Sequence, residues 1–140
     1  MSLMNNQLIE LPRKLRAPCL RTLLLGNNLM EALPDGFLTR LENLMVLDLS
    51  DNLHLKSLPS SIGSLKLLVH LNVAGTLLEK LPDSVSNLKR LENFNLAWCT
   101  QLKYLPKSER LWCLYVGWWH LGETTTPKMQ LDFKANGVHR

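Results

Sequence analysis

Leu44-Met45-Val46-Leu47-Asp48-Leu49-Ser50-Asp51-Asn52, followed by Leu58-Pro59, is the stretch from which the rest of the chain is read. Its Leu-x-Leu alternation is the period-2 mark of a short strand with one face buried. The same Leu-x-x-Leu-x-Leu frame recurs at Leu20-x-x-Leu23-x-Leu25, Leu68-x-x-Leu71-x-Val73, Leu91-x-x-Phe94-x-Leu96 and Leu111-x-x-Leu114-x-Val116, so successive starts fall 24, 24, 23 and 20 residues apart. In the first four copies Asn28, Asn52, Thr76 and Cys99 stand at one offset, and Leu33-Pro34, Leu58-Pro59, Leu81-Pro82 and Leu105-Pro106 follow. A partial copy precedes them, Met1-x-Leu3-x-x-Asn6-x-Leu8-x-x-Leu11-Pro12.

A self-similar unit of this length cannot bury its apolar face alone, so the copies must stack. The pattern is that of a leucine-rich repeat: an α/β solenoid with a curved parallel sheet on one side and irregular or short helical segments on the convex side. Strands are expected around Leu23, Leu47, Leu71, Phe94 and Leu114. Residues Asn6, Asn28, Asn52, Thr76 and Cys99 are expected to form an inward ladder that satisfies backbone groups at each turn. Proline lacks an amide hydrogen and has a restricted φ, which suits the convex segment. Phe37, Leu41, Ile62, Leu65, Val85 and Leu88 are expected to fill that side of the core. Residues 1–106 form the repeats, the first truncated; residues 107–140 form a divergent terminal repeat and tail. With its first methionine at a strand position and Leu3, Leu8 and Leu11 lacking a neighbour on that side, the chain is expected to be a fragment or shortened product with one apolar end.

Composition agrees with a folded domain: 140 residues, 46% hydrophobic and 20% charged, with leucine at about a quarter of all positions. The net charge of +4 is uneven, ten Lys and Arg against nine acids in residues 1–100. No run approaches the ~20 apolar residues of a membrane span. Cys19, Cys99 and Cys113 have no zinc-type spacing and are read as reduced thiols. Cys113 with His120 lacks a third group to orient a base, and no phosphate-binding glycine motif occurs. The expectation is a protein without catalysis, metal, cofactor or nucleic-acid partner.

The stretch from Leu11 to Leu25, then Pro34-Asp35-Gly36-Phe37, and Thr76 and Cys99 in place of asparagine, resembles the repeat region of plant intracellular immune receptors, the nucleotide-binding leucine-rich repeat class with a coiled-coil start. That resemblance implies a cytoplasmic recognition module of a disease-resistance-type receptor, binding a protein ligand or an autoinhibited switch domain. The convex segment Leu58 to Leu65 is similar also to intracellular signalling scaffolds of the Ras-associated type, which keeps that alternative open.

The concave strand face is the expected binding surface. Repeat offsets put Thr22, Val46, His70, Asn93 and Cys113 in one column and Leu24, Asp48, Asn72, Asn95 and Tyr115 in the next. A small column follows, Gly26, Ser50, Ala74, Ala97 and Gly117, with Asn27, Asp51, Gly75, Trp98 and Trp118 beside it. Aromatic residues are enriched in binding hot spots, so Trp98, Tyr115 and Trp118 are the expected anchors. Asp48, His70, Asn72 and Asn95 are expected to add specificity. Trp112 and Trp119 are equally suited to closing the end of the core.

Overall fold

The computed structural model describes residues 1–108, 110, 111 and 114. Four three-residue strands, β1 (Thr22–Leu24), β2 (Val46–Asp48), β3 (His70–Asn72) and β4 (Asn93–Asn95), form one parallel sheet in sequence order. The register follows the repeat alignment, with Leu23, Leu47, Leu71 and Phe94 side by side. Each is buried while its strand neighbours are not, which is what alternation over a one-sided sheet requires. The partial first copy runs alongside: Ser2 pairs in parallel with Leu24, and Leu3 N–H donates to Leu24 O at 2.8 Å.

Return paths on the other side are built from three-residue steps. Pro34, Pro59 and Pro82 accept hydrogen bonds through their carbonyls from Phe37, Ile62 and Val85, at 3.0, 3.1 and 3.0 Å. Short 3-10 segments follow at Leu38–Arg40, Ser60–Ser64 and Asp83–Asn87. Proline suits this start because the turn uses its carbonyl and needs no amide hydrogen from it. Phe37, Leu41, Ile62, Leu65, Val85 and Leu88 are all buried, as the spacing implied. Adjacent convex segments pack so closely that a Cβ on Gly63 would lie 2.7 Å from Ser84 Cβ and Ser84 O.

Between strand and return path lies the ladder, and donor count decides what each rung reaches. Asn28 Nδ2 donates to Leu25 O of its own repeat and to Leu3 O of the preceding one, both at 2.9 Å. Its Oδ1 accepts the backbone N–H groups of Asn6 and Leu8 at 3.1 and 3.0 Å. Asn52 Nδ2 likewise donates to Leu49 O (2.8 Å) and Leu25 O (3.1 Å), while its buried Oδ1 accepts no hydrogen bond. Thr76 has a single hydroxyl hydrogen and gives it to Val73 O in its own repeat, at 2.8 Å. Cys99 Sγ donates to that same Val73 O at 3.1 Å, reaching the preceding repeat. An amide carries two donors where a hydroxyl or thiol carries one.

Two expectations are corrected. Asn6 joins the ladder through its backbone; its exposed side chain instead bonds Met4 O at 3.1 Å. The backbone is left-handed on both sides of it, φ 58° at Asn5 and 55° at Gln7, which turns the amide outward. The expected strand at Leu114 is absent, because Arg110, Leu111 and Leu114 are α-helical. Residues three apart share a helix face as readily as they fit a strand frame, and this copy has Trp119 where a ladder residue would stand. Leu111 is buried, Leu114 packs against the core, and the Arg110 guanidinium donates to Leu88 O (3.0 Å) and Leu91 O (2.8 Å). The helical segment thus packs on the last turn.

Candidate recognition face

Across β1 to β4 the expected columns stand in register. Asp48 pairs with Asn72 and Asn72 with Asn95; Val46, His70 and Asn93 form the neighbouring line. His70 is exposed, while Asp48, Asn72 and Asn95 are half-buried. Trp98 is 57% exposed. Asp48, His70, Asn72 and Asn95 therefore share one face on consecutive repeats, with the exposed Trp98 three residues past β4. Tyr115 and Trp118 lie outside the described residues.

The carboxylate and the two amides also hold the strand ends. Asp48 Oδ1 accepts from the backbone N–H and the hydroxyl of Ser50, at 2.8 and 2.6 Å. Asn72 Oδ1 accepts from Ala74 N–H at 3.1 Å, and Asn95 Oδ1 from Ala97 N–H at 3.0 Å. These local side-chain bonds bend the chain out of the strand two residues on. With one oxygen anchored, each of these side chains is oriented before any partner arrives, which lowers the cost of ordering it on binding.

The bend leads to a left-handed residue in every repeat: Asn5, Asn27, Asp51, Gly75 and Trp98 have φ of 58°, 53°, 55°, 67° and 60°. Asn, Asp and Gly tolerate this region; a bulky side chain there is an outlier. Trp98 thus accepts a strained backbone, at a cost of about 1–2 kcal/mol, without burying its indole. At Gly75 a Cβ would collide with the Asp51 carboxylate, so Asp51 leans over the neighbouring repeat. The small column has a structural cause as well, since a Cβ on Gly26 would lie 3.0 Å from Met4 Cε and Ser50 Oγ.

Residues 18–78 match the leucine rich repeat family. The fold is a leucine-rich repeat solenoid. A leucine-rich repeat protein of Leptospira interrogans superposes with a TM-score of 0.66 at 35% identity, over 79% of this chain and 26% of that one. Among curated proteins, disease resistance protein UNI of Arabidopsis thaliana is 37% identical over 79 residues, 56% of this chain and 9% of the relative. A probable disease resistance protein of the same plant is 34% identical over 124 residues, 89% of this chain and 13% of the relative. The solenoid is therefore homologous to segments of plant disease resistance proteins, and spans roughly a tenth of their length.

No helix of the described residues is long and apolar enough to cross a membrane. Among those residues no group of His, Cys, Asp and Glu could hold a metal. Cys19 is an exposed free thiol and Cys99 a buried one; burial pushes the Cys99 thiol above its ordinary value of 9.0, against hydrogen bonds with Thr76 and Gly75 that lower it. Sequence reasoning missed the exposed Leu29 and Leu53, each directly after a ladder asparagine. The signal was there, an apolar residue at a place where the repeat frame requires none.

Proposed function

We propose that this chain is the recognition module of a plant disease-resistance-type receptor of the nucleotide-binding, coiled-coil class. It acts in the cytoplasm without turnover, and its concave face binds a protein ligand or the receptor's own switch domain. The observation that carries this reading is the exposed, left-handed Trp98 beside a column of small residues, on a sheet face that the described residues leave open. A residue kept at a conformational cost, and not buried in its own fold, is best explained by a contact outside it. Homology to disease resistance proteins supports the receptor assignment.

The test is capture of a partner by the full chain. Trp98→Ala with Asn72→Ala should weaken it about thirtyfold, a loss of about 2 kcal/mol and typical of a hot spot. Lys66→Ala with Lys89→Ala, on the convex side, should leave it unchanged, with circular dichroism the same for both pairs. Capture lost only with the convex pair would overturn the assignment of the face.

A further inference from the structure

The lysines and arginines of this molecule are unevenly placed. The chain as a whole carries +4, yet the four columns of the concave face contain no lysine or arginine in β1 to β4 and their flanking turns. Their charged groups are the carboxylates of Asp48 and Asp51, with His70 the single residue there able to gain a positive charge. Lys56, Lys66, Lys89, Arg90 and Lys103 are exposed and stand outside those columns. Arg21 precedes β1, at the edge of the sheet opposite β4. A sheet face opposite in sign to its own protein selects its partner by charge.

Within that face the local geometry is more specific. Asp51 leans across the gap left by Gly75, and Gly75 N–H donates to Ala97 O at 2.8 Å, tying that glycine to the repeat that carries Trp98. Asp51 and Trp98 stand at the same offset two repeats apart, and because the Asp51 carboxylate already lies over Gly75 it sits one strand spacing, roughly 5 Å, from the repeat that carries Trp98. A flat or compact cation that approaches from solvent gains from the carboxylate and, within about 6 Å, from an aromatic face on the adjacent repeat.

We propose that the concave face receives a basic segment of a partner protein, one of whose arginine or lysine side chains rests from the solvent side on the Asp51 carboxylate and the Trp98 indole together, beside Gly75. This rests on the concave face being the binding face. Asp48, on the adjacent column, adds attraction along the rest of the segment, and the lack of lysine and arginine there removes repulsion.

The experiment titrates the full chain with three capped glycine-serine peptides carrying three arginines, three lysines or three glutamates, followed by calorimetry and by the Trp98 indole N–H resonance, assigned by its absence in Trp98→Asn. Expected are saturable binding of the basic peptides, a shift of that resonance, and affinity that falls with added salt. Asp51→Asn and Trp98→Asn should each weaken binding about tenfold, the scale of a desolvated cation–aromatic contact. Asparagine at position 98 suits the left-handed backbone, so that variant keeps the fold. The proposal is overturned if the basic peptides fail to bind, if the glutamate peptide binds as tightly, or if both substitutions leave binding unchanged. In the partner-capture experiment, loss with the concave pair but indifference to Asp51→Asn and to salt sinks the cation reading alone. Loss with the convex pair only sinks the binding face itself.

Discussion

The first two full repeats and the next two perform the same turn with different chemistry. Asn28 and Asn52 each spend two amide hydrogens, one on their own repeat and one on the preceding repeat. Thr76 and Cys99 spend one each, and both spend it on Val73 O. Stacking is thus stitched by polar side chains at every early step but concentrated on one carbonyl later, where the Thr76 and Cys99 side chains meet at 3.5 Å. The sheet and the apolar core run on unchanged across this boundary, so the later repeats rely more on packing than on the ladder.

The largest expected contrast lies between Asn28→Ala and Thr76→Val. The first strands Leu3 O and the amides of Asn6 and Leu8, leaving Leu25 O to Asn52 alone, and should cost on the order of 3 kcal/mol; the second removes one neutral hydrogen bond and should cost about 1 kcal/mol. Equal losses in chemical denaturation would break the comparison. Leu47→Ala and Leu71→Ala, on either side of the boundary, should cost alike, roughly 2–5 kcal/mol each.

A smaller effect of opposite sign is expected at Trp98. Replacement by asparagine relieves the left-handed strain and should raise stability by about 1 kcal/mol in thermal melts. A drop would mean that the indole contributes to the fold, and would remove the main argument for its role in binding.

The smallest effect is a pH dependence of the Cys99 rung. Its folded thiol ionises above 9.0 and its unfolded thiol near that value, so the contribution is complete below pH 9.0 and fades as pH rises through the folded pKa. The stability difference between the wild-type chain and Cys99→Ala should therefore narrow in alkaline melts and stay flat below neutrality. A difference that widens with pH would show that Cys99 is not held protonated.

The strand centres at Leu23, Leu47, Leu71 and Phe94 were legible because burial on one side of a sheet imposes alternation, and alternation is a property of sequence order alone. The ladder at Asn28, Asn52, Thr76 and Cys99 was legible for the same reason, a polar residue at a constant offset. Leu111 and Leu114 misled because the Leu-x-x-Leu spacing that opens the repeat frame is also the i, i+3 spacing of one helix face, and nothing local separates a fifth repeat from a helix packed on the last turn. At Asp48, Asn72 and Asn95 the columns were readable, but not that one oxygen of each holds the strand end.

By itself the sequence determined the repeat length, the parallel register and the identity of the core, since each follows from periodic burial that any stacked arrangement must respect. Tertiary structure alone decided which atoms are left for a partner. Whether a ladder side chain reaches one repeat or two, whether Trp98 stands outward on a left-handed turn, and whether Asp51 leans across Gly75 depend on distances between residues some 23 positions apart in sequence, set by the spacing of stacked strands.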